Sequence, residues 1–250
     1  MKIELNIPEK LSDIKLKDYQ KFLDIADKNK DNEIFLRQKL LQIFCGMPLD
    51  TVDKIKRSDF MEITDSVLSV IQQQPELVHT FVLNDVEYGF IPNLDDMSLG
   101  EFVDADSALG ETKLLVQLMS VFYRPLKGQK NGKGQYNIVA YNGVVNEELK
   151  DMPVDAALSS LVFFYLLSNE LLTIIQSCLA KEKRENKTKT KVAKLTLEKV
   201  SEKSGVGTYQ LKHSLEVTIL GLKRLLDNQF MLPYFTLHTS KTNNNQKKTL

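Results

Sequence analysis

The stretch Tyr88-Gly-Phe-Ile-Pro-Asn-Leu-Asp-Asp-Met-Ser-Leu-Gly-Glu-Phe-Val-Asp104 carries the chain out of an extended, hairpin-like segment and into a helix. Ser98 is placed to accept a backbone N–H of the first turn, and Glu101, three residues on, completes an S-x-x-E capping box. Met97 and Phe102 occupy the two positions of a hydrophobic staple around that cap. Asp95 and Asp96 add negative charge near the positive end of the helix dipole. These signals are structural rather than reactive, and they mark a change from a two-residue to a helical period.

Upstream, Phe81-Val-Leu and Val86-Glu-Tyr-Gly-Phe are β-rich and are separated by the turn-prone pair Asn84-Asp85, which predicts a hairpin within residues 78–90. Residues 2–6 alternate, with Ile3 and Leu5 on one face, and read as a short strand that joins the hairpin in a small sheet. Between them lie three helical patterns. The first runs from Asp18 to Lys28 with Tyr19, Phe22, Leu23 and Ala26 inward. The second is capped by Asp31 or Asn32, carries Phe35, Leu36, Leu40, Ile43 and Phe44, and stops at Gly46 and Pro48. The third opens at Ser58 and carries Phe60, Ile63, Val67 and Ile71.

Downstream, Leu114, Leu115, Leu118, Met119, Phe122 and Tyr123 predict a further helix ending before Pro125. Residues 127–134 form a glycine-containing basic loop without the P-loop pattern, and residues 136–141 can add a strand beside the hairpin. From Pro153 to Arg184 runs the longest helical pattern, apolar on nearly every face between Ala156 and Leu179. Its length approaches the roughly 20 residues of a membrane span. Ser159, Ser160, Ser168, Asn169, Glu170 and Gln176 interrupt it, and a mid-span charge costs about 2.5–3.5 kcal/mol, so a central core helix is the better reading. The pattern Leu-x-Asp-(Ile/Met)-x-Leu at 11–16 recurs at 94–99, with a looser copy at 151–157. The intervening stretches are unlike one another, so this is one helix-start device used three times rather than an internal repeat.

The 250 residues are 42% apolar and carry no formal net charge, yet the charge is unevenly spread. Residues 181–250 hold 15 Lys/Arg against 6 Asp/Glu, leaving 18 against 27 in residues 1–180. That asymmetry suggests a basic arm facing an acidic partner, nucleic acid, or the protein's own acidic body. Cys45 and Cys178 sit in apolar runs, form no zinc or disulfide pattern and suit a reduced compartment, and Met1-Lys-Ile-Glu-Leu-Asn has no signal-peptide core. His79, His213 and His238 lie in three different segments, and no nucleophile-elbow motif is present. The acid pairs Asp95-Asp96 and Asp104-x-Asp106 read as helix caps and solvated carboxylates. No residue is assigned to catalysis, a cofactor or a metal, and the expectation is a non-enzyme.

Residues 181–195 read as a basic linker, residues 196–232 as a helical appendage and residues 233–250 as a mostly disordered tail. The appendage resembles a helix-turn-helix around Gly205. Leu211, Leu215, Leu222 and Leu226 form a leucine face suited to docking on a protein. Lys199, Lys203, Gln210 and Lys212 are the residues that would contact nucleic acid in an alternative regulatory role, but base-reading side chains are scarce.

The opening Leu11-Ser-Asp-Ile-Lys-Leu-Lys-Asp-Tyr-Gln20, the segment Tyr88-Gly-Phe-Ile-Pro-Asn-Leu94 and the run Asp151-Met-Pro-Val-Asp-Ala-Ala-Leu-Ser-Ser-Leu-Val-Phe-Phe-Tyr165 resemble tailed-bacteriophage morphogenesis proteins of the tail-assembly-chaperone type. The resemblance spans residues 1–180. It implies a non-enzymatic assembly or virion-associated protein of the host cytoplasm or the virion, without a cofactor or membrane segment. Its implied partners are other phage structural proteins, with self-association also compatible. The expected fold is α+β and mostly helical: a helical body over residues 1–180 with a small β-hairpin sheet, then a C-terminal helical extension.

Overall fold

The computed structural model describes residues 6–94, 97–128, 135–188, 216–221 and 223. Four helices come first: α1 (Leu16–Lys28), α2 (Glu33–Phe44), the short α3 (Leu49–Val52) and α4 (Arg57–Ile71). The hairpin β1 (Thr80–Leu83) and β2 (Val86–Phe90) follows, then α5 (Leu99–Ala108), α6 (Leu115–Phe122), β3 (Tyr123–Pro125) and the long α7 (Val154–Thr188). The fold is mostly helical α+β with one three-stranded antiparallel sheet, in the order β1-β2-β3.

Local chemistry explains most of the boundaries. Asn32 caps α2 by accepting from the Phe35 amide at 3.1 Å, and the chain leaves that helix through Gly46 at φ 66°. Asn84 and Asp85 both take left-handed backbone angles, φ 49° and 62°, as a two-residue hairpin turn requires. The turn sets the register that pairs Phe81 with Tyr88, whose rings stack at 5.5 Å. Two expectations shift. α4 begins at Arg57, with Lys56 as its uncapped N-cap residue, while the Ser58 hydroxyl turns to the Asp59 carboxylate. The third strand is Tyr123–Pro125, which pairs with β2. The N-terminal strand expected at residues 2–6 lies outside the described residues except for Asn6, which is not in a strand.

Tyr123 had read as the last inward residue of a helix. Its backbone instead turns extended at φ −119°, and the buried hydroxyl lies 2.7 Å from Val78 O and 3.1 Å from Ala156 O. One phenol thereby ties β3 to the lead-in of β1 and to the first turn of α7. Residues 136–141 supply only a bridge, Leu126 to Ile138, yet they bring Tyr136 across the sheet. The Tyr136 hydroxyl reaches Phe90 O at 2.9 Å and His79 O at 3.1 Å. Its ring then lies on Gly89, where a methyl group would come within 2.6 Å of both Tyr136 and Leu126. Gly89→Ala is therefore expected to cost about 1–3 kcal/mol through overpacking. Urea unfolding would measure it, and a change below about 0.5 kcal/mol would show that the ring gives way freely.

The three similar helix starts share one register. Lys15, Ser98 and Pro153 precede Leu16, Leu99 and Val154, the first residues of α1, α5 and α7. The first and third starts pair with each other: the Leu16 amide donates to Met152 O at 3.0 Å and the Val154 amide to Ile14 O at 2.9 Å. Asp151 then receives Lys15 and Lys17 at 3.1 and 2.7 Å, and these contacts hold its carboxyl below the usual pKa. At the second start the full capping box forms. The Ser98 hydroxyl accepts from the Glu101 amide at 3.3 Å, while Glu101 accepts from the Ser98 amide. Ser98→Ala should cost about 0.5–2 kcal/mol, read as a lowered denaturant midpoint at unchanged slope.

α7 departs from the core-helix reading. Val154, Ala156, Ala157, Leu158, Leu161 and Val162 are buried, and the last buried residue of the helix among those described is Ser168. Leu166 is already 57% exposed, and beyond Ser168 the described side chains are half-buried or exposed. The helix also runs unbroken past residue 180 to Thr188, through the charge run read as a linker.

Candidate functional site

Two surfaces stand out because apolar side chains occupy them without cover. The first lies where α7 leaves the body. Phe90, Phe122, Phe163 and Phe164 form an aromatic cluster, with Phe122 and Phe164 stacked at 4.3 Å and Phe90 edge-on to Phe163 at 5.6 Å. Beside it, Pro75, Leu77, Val162, Phe163 and Leu166 line an open groove of about 360 Å³ between α7 and the segment after α4. From Ser168, α7 continues for 20 residues, about 30 Å at the helical rise. Leu171, Leu172, Ile174, Ile175 and Leu179 belong to that continuation. An amphipathic or apolar helix gains its stability chiefly from packing, so a helix extended past its own core needs a second surface.

The second surface is α5, which has its sizes reversed. Its buried positions are Glu101, Ala105 and Ala108, whereas Leu99 is 78% exposed and Phe102 and Val103 are each 52% exposed. Phe102 thus faces outward, leaving the staple expected with Met97 incomplete. The missed signal was in the sequence: Leu99, Phe102 and Val103 stand at i, i+3 and i+4 opposite two alanines.

Behind α5 lies a polar network. Glu101 is buried and receives Arg124 Nη1 at 2.6 Å in addition to its capping bonds. Burial alone would raise the Glu101 pKa, but the Ser98 amide and hydroxyl and the Arg124 guanidinium together hold it below the usual carboxylate value. The Arg124 guanidinium also lies 6.0 Å from the Tyr141 ring centre, within cation–π reach. Tyr141 donates to Asp104 at 2.7 Å, and burial followed by that bond pushes its pKa up to about 12. A pocket of about 320 Å³ opens beside Arg124 between β3 and residues 139–146. Each acid at this network is already engaged, Glu101 by Ser98 and Arg124 and Asp104 by Tyr141. The arrangement therefore offers no carboxylate poised as a general base. Cys45 is similarly quiet, since burial pushes its thiol pKa up to about 11 and leaves the weakly nucleophilic protonated form.

Of the residues singled out in the sequence, Leu211, Leu215, Leu222 and Leu226 lie outside the described residues, as do Lys199, Lys203, Gln210 and Lys212. His213, His238, Asp95 and Asp96 lie outside as well. Within the appendage, residues 216–221 are helical and dock on the body: Gly221 approaches the Gly110 amide and Leu109 Cβ to 3.5 Å from an ideal Cβ position. Among the described residues no helix is long and apolar enough to cross a membrane, and no group of His, Cys, Asp and Glu is arranged to hold a metal ion. Comparisons of the chain with models of known families, with curated proteins and with solved structures find no match.

Proposed function

We propose that this chain is a non-enzymatic, chaperone-like protein of tailed-phage virion assembly that works by binding other proteins. The observation that carries the reading is α7, which runs on about 30 Å beyond its last buried residue with an apolar sequence. Such a helix suits helix-in-groove recognition, in which residues at i, i+3, i+4 and i+7 anchor a partner. The leucine face Leu211, Leu215, Leu222 and Leu226 extends the same chemistry into the appendage. The sequence resemblance to tail-assembly chaperones supplies the context: phage structural proteins as partners and the host cytoplasm or virion as location.

The test compares the full chain with chains ending at residues 180 and 169. Both shortened bodies are expected to fold, because α7 contributes no described buried residue beyond Ser168. Mass spectrometry of assembly intermediates from infected cells should find the full chain, reduced amounts of the 1–180 chain and none of the 1–169 chain. Equal recovery of all three would remove α7 from the interface. Absence of the full chain from both intermediates and particles would overturn the assembly role itself.

A further inference from the structure

We propose that the exposed apolar face of α5 is the seat of this chain's own residues 228–237, which fold back from the docked segment at Gly221. The argument begins with where that segment is held. Gly221 lies against Leu109 and Gly110, so closely that the nearest backbone atoms are 3.5 Å from its Cβ position. Two glycines meeting at this distance let helix and turn backbones touch, which any larger side chain would prevent. Leu109 and Gly110 stand at +10 and +11 from Leu99, so they continue the line of Leu99, Phe102, Val103 and Asp106 along one side of the helix. The appendage is therefore anchored at the C-terminal end of the same face whose N-terminal end is bare.

Seven residues after Gly221 comes Asn228-Gln-Phe-Met-Leu-Pro-Tyr-Phe-Thr-Leu237, with Phe230, Met231, Leu232, Tyr234 and Phe235 closely spaced ahead of a polar, lysine-containing end. From Leu109 to Phe102 is about 10 Å and to Leu99 about 15 Å at the helical rise. The nine residues from Gly221 to Phe230 span about 13 Å as helix and up to about 30 Å extended, so the reach is met in either form. Charge agrees: α5 carries Glu101, Asp104 and Asp106 without a Lys or Arg, and residues 238–250 carry Lys241, Lys247 and Lys248 without an acid. The neighbouring cleft of about 580 Å³ is a poorer seat for aromatic side chains, because Lys21, Asp24, Asp27, Lys28, Glu111 and Lys113 line it. A second copy's tail is also disfavoured, since a short tether gives the chain's own segment an effective concentration near millimolar.

A photoreactive benzoylphenylalanine at position 102 of the full-length protein tests the seat, with the same group at position 24 reporting on the cleft. The expected result is a crosslink from position 102 to residues 228–237, at monomer mass and unchanged over a hundredfold dilution, with none from position 24. A crosslink only at dimer mass would assign the face to a second copy and overturn the proposal. Crosslinking of the tail from position 24 alone, or from neither position, would overturn it as well. As an independent measure, Phe102→Asp should speed chymotryptic cleavage at Phe230, Tyr234 and Phe235 by about tenfold, with the circular dichroism of the body unchanged. Equal cleavage rates would again overturn it. These readouts are intramolecular, so they stand or fall separately from the assembly role.

Discussion

Asp65→Ala is expected to destabilise the body by about 3 kcal/mol or more, whereas Arg37→Met should change stability by no more than about 1.5 kcal/mol. The difference follows from where the charges sit. The Arg37 side chain is wholly buried between α2 and α4, where Nη1 donates to Asp65 at 2.7 Å and to the Thr64 hydroxyl at 2.7 Å. Its Nε donates to Glu33 at 3.0 Å, one helical turn earlier. Both carboxylates keep contact with water, with 25% of the Asp65 side chain and 33% of the Glu33 side chain exposed. Removing Asp65 leaves a desolvated cation with Glu33 as its remaining acid, and breaking a buried pair in this way is strongly unfavourable. Removing the cation leaves two solvated acids and a Thr64 hydroxyl that still donates to Phe60 O at 2.8 Å. Urea unfolding of the two variants checks the order, and equal losses would show that the side chain's packing rather than its charge holds the site.

Arg37 also shows what a single sequence withholds. On the pattern of α2 it occupies an inward position between Leu36 and Leu40, where a basic residue ordinarily reads as a break in the stripe. Its acid partner stands 28 residues away on another helix, and no local rule joins the two. By contrast, the Asn84-Asp85 hairpin, the Asn32 cap and the Ser98–Glu101 box depend on residues within a few positions of each other, and all three were legible. β3 was not. Leu114 to Tyr123 keeps a helical period to its end, and what turns Tyr123 extended is pairing with β2 and a hydroxyl bond to Val78 and Ala156. α7 misled for a related reason: periodicity reports which side chains are apolar, not whether the fold has surface left to cover them. The same limit hid the outward face of α5, where Phe102 read as a staple residue.

Glu101→Ala carries the second large effect, about 3–5 kcal/mol at neutral pH, because one side chain serves two structures. It closes the capping box of α5 through the Ser98 amide, and it pairs at 2.6 Å with Arg124, which is nearly buried on β3. Arg124 Nε already lacks a hydrogen-bond partner among the described residues, so losing Glu101 would leave most of that guanidinium unsatisfied. The loss should therefore exceed that of Ser98→Ala, which removes the cap alone and spares the ion pair. Acid provides the sharper test. The folded-state pKa of Glu101 lies below its ordinary 4.5, so its contribution is complete above about pH 4.5 and fades as pH falls through the folded value. Glu101→Gln keeps the size of the side chain but cannot lose a proton, and its stability should fall less steeply than that of the unaltered protein on descending below pH 4.5. Parallel acid limbs for the two proteins would show that Glu101 does not couple the charge of Arg124 to folding. The α5–β3 contact would then rest on packing alone.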